Sequence, residues 1–252
     1  MNELLLEHLL VPEWPAPATV RAVSTTRRGG DSLPPYDGFN LAGHVGDDPV
    51  CVAGNRRQLA AVLGLSTEPA WLEQVHGIHA VAAETVDVPV VADAAWTRKP
   101  GRPCVVMTAD CLPVLLCDRA GTVVAAAHAG WRGLAAGVIA ATVARMDVPP
   151  MELLAWLGPA IGPDAFEVGE EVRAAFLALD AGSAACFRPS PAGRWLADLY
   201  ELARRQLRGL GVSAVYGGSC CTFSEPERFF SYRRENRTGR MASLIWLDDS
   251  ID

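Results

Sequence analysis

The sequence predicts one mixed α+β domain, and three observations carry that prediction. Short apolar runs are interleaved with stretches of 3–4 residue apolar periodicity, so strands and helices alternate irregularly along the chain. Two of the runs, 114–117 and 122–127, flank Asp118-Arg119-Ala120-Gly121, the pattern of an antiparallel hairpin rather than of a parallel βαβ step. No repeat, low-complexity tract or linker interrupts the 252 residues, so the domain is expected to span 1–252.

The elements follow in order. Residues 1–17 read as a short amphipathic start and then a Pro-rich edge segment. Residues 20–26 alternate as a strand and end at Arg27-Arg28-Gly29-Gly30, whose loop continues through Pro34-Pro35-Tyr36-Asp37-Gly38 and the polar stretch 40–49. A helix over 50–63 starts at Asp48 or Pro49 and stops at Gly64, placed just past the end as helix-terminating glycines are. Residues 70–75 and 78–82 are strand segments around His76-Gly77, and a short strand follows Ala92-Asp93-Ala94. Residues 104–108 are apolar on both faces and therefore a buried strand. Beyond the hairpin, Gly130-Trp131-Arg132-Gly133 opens a helix over 134–146. A strand over 153–157 stops at Gly158-Pro159, within a tight turn that leads to a helix over 169–179. Leu196, Leu199, Ala203 and Leu207 mark a helix over 196–208 that Gly209 can end. Residues 212–216 and 243–247 are strands.

Half of the residues are hydrophobic and a fifth are charged, the profile of a soluble globular chain able to bury about 70–75% of its unfolded surface. A net charge of −7 argues against sequence-independent nucleic-acid binding, which needs a dense basic face. Positive charge nevertheless crowds the C-terminal end, at Arg228, Arg233, Arg234, Arg237 and Arg240. That crowding is either a solvated stripe or an anion-binding surface. Asp110, Asp118 and His128 break the apolar stretches well short of the ~18–20 residues of a membrane span, so no membrane partner is expected. Seven cysteines show no disulfide spacing, and the N-terminus has no positive region followed by an apolar one. A reducing cytoplasm is the expected compartment. No phosphate-binding loop, dinucleotide fingerprint or Gly-x-Ser-x-Gly elbow is present.

The chemistry concentrates at His76, Cys111 and His128, each at the end of an apolar strand. If the hairpin turn is centred on Arg119-Ala120, with a loop of about two or four residues, His128 pairs with Cys111. A slip of one residue would move the partner to Asp110 or Leu112. Directly paired or diagonal Cβ atoms are about 4.5–8 Å apart. Two imidazoles and a thiolate suit Zn²⁺ and leave a fourth position open, as at a catalytic site; by ligand softness Cu also qualifies. The same atoms allow Cys111 to be a nucleophile activated by His128 or His76. The neighbouring Asp110 disfavours a free thiolate, which tilts the balance toward a metal. The helix opening after Gly130, with Arg132 in its first turn, could receive an anion, and Arg27 is a second anion candidate. His44 reads as structural, and His79 as an exposed strand flank.

Several blocks together resemble a known family. They are Asn40-Leu41 with His44-Val45-Gly46-Asp47-Asp48-Pro49, Gln74-Val75-His76-Gly77, and Thr108-Ala109-Asp110-Cys111-Leu112-Pro113. His128-Ala129-Gly130-Trp131-Arg132-Gly133, Gly158-Pro159-Ala160-Ile161-Gly162 and Phe166-Glu167-Val168-Gly169 follow. Phe230-Ser231-Tyr232-Arg233 and Thr238-Gly239-Arg240-Met241 complete the set. From residue 23 to residue 247 the chain is similar to the laccase-domain family of purine nucleoside phosphorylases, long labelled multicopper polyphenol oxidases. One departure is Ser24-Thr25-Thr26-Arg27, where similar sequences often carry Phe before Ser-Thr-Arg.

The resemblance implies a single domain of mixed β-sheets flanked by helices, and a zinc site on His76, Cys111 and His128. The implied activity is phosphorolysis of adenosine, inosine and methylthioadenosine to a purine base and a ribose 1-phosphate, with adenosine deamination beside it. Purine nucleosides and phosphate are then the partners, with Arg27, Asn40 and Arg132 as expected contacts. Phosphorolysis passes through an oxocarbenium-like ribose attacked by phosphate, so an anion pocket is required. Deamination calls on the water activation that a three-ligand Zn²⁺ supplies. Asp110 and Glu167 are the carboxylates nearest to hand for protonating the leaving base. The oxidase label conflicts with composition. A trinuclear copper centre plus a blue copper needs about ten or more His and Cys ligands, and this chain has five histidines. Alternatives are a Cys-His hydrolase of an amide such as a cell-wall precursor, a copper-dependent phenol oxidase at the single site, and a non-catalytic protein with a structural metal.

Overall fold

Alternation along one central hairpin sets the layers of this fold. The computed structural model describes residues 6–249. Its strands are β1 Val20–Ser24, β2 Leu72–Glu73, β3 Ala80–Ala82, β4 Val90–Val91, β5 Ala94–Thr97, β6 Cys104–Thr108 and β7 Leu112–Asp118. They continue with β8 Val124–Ala129, β9 Leu153–Leu157, β10 Glu167–Val168, β11 Phe187–Pro189, β12 Trp195–Ala197, β13 Ala214–Gly217 and β14 Met241–Leu247. The helices are α1 Pro49–Leu63, α2 Trp131–Ala136, α3 Val138–Met146, α4 Glu170–Leu179, α5 Leu199–Gly209 and the single turn α6 Tyr232–Glu235.

Six strands form a mixed sheet in the order β13-β9-β7-β8-β5-β3, antiparallel at its centre and parallel at each edge. Leu112, Val114 and Leu116 of β7 pack with Ala125, Ala127 and Ala129 of β8 against Leu134, Ile139, Met146, Leu202 and Leu207 of the helices. The alternate residues Leu115, Cys117, Val124 and Ala126 meet Val20, Cys104, Val106 and Ile245 of the antiparallel sheet β1-β14-β6. The outer face of that smaller sheet, Val105, Leu244 and Trp246, is covered by Phe39, Leu41 and Leu59. The result is four layers, helix–sheet–sheet–helix. The expected mixed sheets flanked by helices are therefore present, and both faces of β7 and β8 are buried, which is why these strands carry so few polar residues.

Local signals place α1 well. Asp48 accepts from Val50 N at 2.8 Å, Pro49 opens the helix, and Gly64 closes it at φ 62°. β9 matches its expected bounds. Two helices differ from expectation. The helix expected over 134–146 begins at Trp131 and is cut in two by Gly137 at φ 99°. The one expected over 196–208 begins at Leu199, because Trp195–Ala197 pairs with β10 and β11 and Asp198 caps the turn by accepting from Glu201 N. Sheet pairing there overrides a 3–4 periodicity. The turn 158–163 leads to β10 rather than directly to a helix. Leu10 bridges Ser24, so the Pro-rich segment does run along an edge; residues 1–5 of that expectation lie outside the described residues. Among the described residues no helix is long and apolar enough to cross a membrane.

The hairpin register is the main correction. His128 pairs with Pro113, and Leu112 with Ala129, so the turn is centred one residue later than expected. Asp118 is the cause: its carboxylate accepts from Thr122 N, Val123 N and the Thr122 hydroxyl. Gly121 supplies the left-handed residue at φ 67°.

Leu115 is fully buried between the two sheets. Leu115→Ala should cost about 2–5 kcal/mol of stability, read from urea unfolding, while metal binding by the folded fraction is unchanged.

Candidate metal centre and its cavity

The register makes Cys111 and His128 diagonal neighbours on the same side of the hairpin. His128 shares its face of β8 with Val124 and Ala126, and Cys111 lies just before β7 on the side of Leu115. The third member arrives from the 75–77 loop. Cys111 Sγ lies 3.6 Å from His76 Nε2, the two imidazole centroids are 4.8 Å apart, and all three ligand atoms fall within 4.8 Å of one another. Tetrahedral zinc with bonds of about 2.0–2.1 Å to nitrogen and about 2.3 Å to sulfur holds such atoms about 3.6 Å apart. The donor set therefore fits a divalent ion with small adjustments of side-chain torsions.

Asp93 organises these ligands. His128 Nδ1 lies 2.8 Å from Asp93 Oδ1, which assigns the proton to Nδ1 and leaves Nε2 as the donor facing the cavity. The same carboxylate accepts from His76 N at 2.9 Å, Gly77 N at 2.6 Å and Val75 N at 3.2 Å. It thereby clasps a loop in which His76 sits at φ 61°, a conformation that needs outside support in a non-glycine residue. Asp93 is fully buried. Burial alone would raise its pKa, but hydrogen bonds from His128 and from Gly77, the His128 charge and the Val75 amide hold it below the usual range.

Two glycines let the parts approach. A Cβ on Gly130 would lie 2.8 Å from both Cys111 Sγ and His76 Cδ2, and one on Gly133 would lie 3.0 Å from Gly77 O. Burial opposes ionisation of Cys111, yet the His128 charge and hydrogen bonds from His128 and His76 outweigh it and bring the thiol down to about 6. Burial likewise opposes a charge on His128; attraction to Cys111 and the bond to Asp93 outweigh it and raise its pKa to about 9. Without metal, the pair is a thiolate beside an imidazolium.

The three ligands line a cavity of about 480 Å³. Trp131, Phe166 and Tyr232 give it aromatic walls, and Arg132, Arg233 and Arg240 give it positive charge. Each guanidinium lies over one of those rings, at 4.5 Å for Arg132 on Trp131, 5.5 Å for Arg233 on Phe166 and 5.7 Å for Arg240 on Tyr232. The C-terminal arginines thus divide. Arg233 and Arg240 face the cavity, whereas Arg228 pairs with Glu225, Arg234 pairs with Glu235, and Arg237 reaches the Tyr36 hydroxyl.

Of the residues read from the sequence, His76, Cys111, His128 and Arg132 come together around this cavity. Arg27 does not line it. Its guanidinium is spent on Asp37 O, Pro226 O and Glu235, and it stacks on Phe230 at 4.8 Å. Asn40 is buried behind the cavity, bonded to Ala42, Asp47 and the Arg240 amide. Glu167 turns toward Ser190 and Arg194. Asp110 lines the cavity at φ 90°, and both its oxygens are already occupied, by the Thr222 hydroxyl and by Arg233 N. Nor is the helix after Gly130 a substantial anion site. Gly137 limits α2 to six residues, too few for a large dipole.

Sequence reading misses Asp93 and His44 as members of the site, and it leaves Arg233 and Arg240 within a C-terminal cluster that is either a solvated stripe or an anion-binding surface. His44 lines the cavity, its pKa lowered by burial and then by Arg240 and Arg56. His79 is exposed on its strand flank, as expected. One signal did exist for Asp93: a lone carboxylate among the alanines 92–95 demands partners if buried.

Gly130→Ala should lose the metal while keeping the fold, because the new methyl displaces Cys111 and His76; metal content and far-UV circular dichroism check this together. In metal-free protein, alkylation of Cys111 by iodoacetamide should rise through about pH 6 rather than near the ordinary thiol value of about 8.5. Added metal should protect it, as quantified by peptide mass spectrometry.

The chain is similar to known proteins along nearly its whole length. The family described as multi-copper polyphenol oxidoreductase laccase matches residues 21–248. A purine nucleoside phosphorylase of Pseudomonas aeruginosa, PA4543, is 59% identical over 241 residues, covering 95% of this chain and 98% of its own. The purine nucleoside phosphorylase YfiH of Escherichia coli is 55% identical over 245 residues, covering 96% and 100%. Among solved structures, Neisseria meningitidis protein NMB0706 superposes with a TM-score of 0.93 at 52% identity, over 96% of this chain and 99% of that one. YlmD from Geobacillus stearothermophilus does so with a TM-score of 0.86 at 32% identity, over 92% and 93%. With nearly its whole length matched in sequence and fold, the chain belongs to the multi-copper polyphenol oxidoreductase laccase family.

Proposed function

We propose that this protein is a zinc-dependent purine nucleoside phosphorylase, cleaving adenosine, inosine and methylthioadenosine, with adenosine deamination at the same centre. One observation carries the reading: a His-Cys-His donor set forms part of the wall of a cavity whose other walls are aromatic and cationic. The relatives named purine nucleoside phosphorylase support it.

Phosphorolysis forms a bond from a phosphate oxygen to C1′ as the C1′–N9 bond breaks, and the electron pair leaves with the purine. Arg132, Arg233 and Arg240 supply the positive field that gathers phosphate and offsets its charge. Phe166, Tyr232 and Trp131 offer apolar faces for a purine and exclude water around the sugar. Asp93 keeps the His128 proton on Nδ1, so Nε2 stays available as a ligand. The depressed Cys111 thiol presents a thiolate at neutral pH. Zinc, when bound by these residues, supplies Lewis-acid and water-activating chemistry next to the substrate. Seven unpaired cysteines suit a reducing, cytoplasmic setting.

A four-copper oxidase centre is disfavoured, since among the described residues His76, Cys111 and His128 form the one group of donors close enough to hold a metal. A second reading has one observation in its favour. The metal-free thiolate–imidazolium pair is the arrangement of a cysteine hydrolase acting on an amide.

Adenosine incubated with metal-loaded protein should yield adenine only when phosphate is present, with about one zinc per chain, and inosine without phosphate. Cys111→Ala should lose metal and turnover together. Zinc-loaded protein that turns over no nucleoside would overturn the reading, and stoichiometric inactivation by alkylation in the presence of metal would shift it to the hydrolase.

A further inference from the structure

We propose that Arg240 is the principal ligand of the phosphate, binding it through the free Nε–Nη2 edge of its guanidinium inside the cavity. The inference rests on the phosphorolysis reading and names the residue that carries its anion subsite.

Arg240 differs from the other arginines in its neighbourhood. Arg27 and Arg234 both pair with Glu235, and Arg228 pairs with Glu225. Arg240 is half-buried and, among the described residues, forms no contact ion pair with a carboxylate; Asp110 and Cys111 act on it at longer range. Removing a cation from water without a counter-charge is costly unless a ligand supplies one. Only Nη1 is occupied, by Thr238 O at 2.9 Å and Gly239 O at 3.0 Å. Nε and Nη2, the two donors that form a fork on a phosphate, bond to no described residue.

That fork is also held in place. Arg240 N donates to Asn40 Oδ1 at 2.9 Å, and Arg240 O accepts from Leu41 N at 3.3 Å. The guanidinium rests over Tyr232. A Cβ on Gly239 would collide with Phe230 and Asn40, so the backbone leading into Arg240 is packed on both sides. A donor group fixed this way loses little freedom on binding. Charge interactions locate it as well: burial lowers its pKa, and Cys111 and Asp110 oppose that effect, which puts Arg240 within electrostatic reach of the thiolate. By contrast Arg132 is exposed, and Arg233 is exposed with Nη1 tied to Glu167 O at 2.8 Å. Those two flank the anion from the rim. Asn40, expected to touch substrate, instead holds the backbone of the residue that does.

The test is calorimetric titration of the zinc-loaded protein with inorganic phosphate, in wild type, Arg240→Gln and Arg240→Lys, alongside steady-state phosphorolysis. Arg240→Gln should weaken phosphate about 10–100-fold and raise the phosphate KM in parallel. Zinc content and the far-UV circular dichroism spectrum should stay near wild type, since Arg240 is not one of the three metal donors. Arg240→Lys should recover part of the loss, because it keeps the charge without the fork. If Arg240→Gln does not fold, Arg240→Lys decides: weakened phosphate with intact zinc supports the assignment, and unchanged affinity overturns it. Wild-type phosphate affinity and KM in a folded, zinc-loaded Arg240→Gln would overturn the assignment and leave phosphorolysis standing. A wild type that neither binds nor uses phosphate would overturn both.

Discussion

The centre depends on one buried carboxylate. Asp93 fixes the tautomer of one ligand, His128, and holds the backbone of another, His76, through three amide donors of the 75–77 loop. Its own burial forces this. A fully desolvated carboxylate must be satisfied by hydrogen bonds and a cation, and the loop amides and the imidazole are what surround it. The third ligand, Cys111, comes from a strand start reached through Asp110, whose carboxylate is likewise fully engaged, here by Thr222 and Arg233. Two aspartates therefore place three ligands without either being one.

The sheets explain why such a centre can be rigid. β7 and β8 are buried on both faces, between helices on one side and the β1-β14-β6 sheet on the other. A hairpin packed this way cannot slip without turning every apolar residue to the wrong layer. Its open end then offers His128 and Cys111 at a defined spacing, while Gly130 and Gly133 keep the following corner thin enough for the His76 loop to close over it. The cationic half of the cavity comes from elsewhere. Arg233 lies in α6 and Arg240 immediately before β14, which anchors that segment in the middle of the smaller sheet. Among the described residues one group of three donors could hold a metal, and three arginines share its cavity.

Local chemistry and distant packing contributed differently to what could be foreseen. The sequence by itself determined that His76, Cys111 and His128 form one group able to hold a metal, the ends of α1 at Asp48 and Gly64, the central hairpin and the mixed fold class. Each of these follows from short-range preferences: capping geometry, residue periodicity, and the donor chemistry of histidine and cysteine. The hairpin register turned on the bonds of Asp118 to Thr122 and Val123, a local turn signal that the apolar pattern of the flanking strands does not carry. Tertiary structure alone decided that Arg27 would be consumed by Glu235 and Asp37, and that Asn40 would sit behind the cavity. The same holds for Asp93 meeting His128, 35 residues away, and for Arg240 sharing a cavity with Cys111 and His128, more than a hundred residues earlier. Such pairings depend on which buried charge finds which partner once the layers close, and no local preference along the chain encodes that choice.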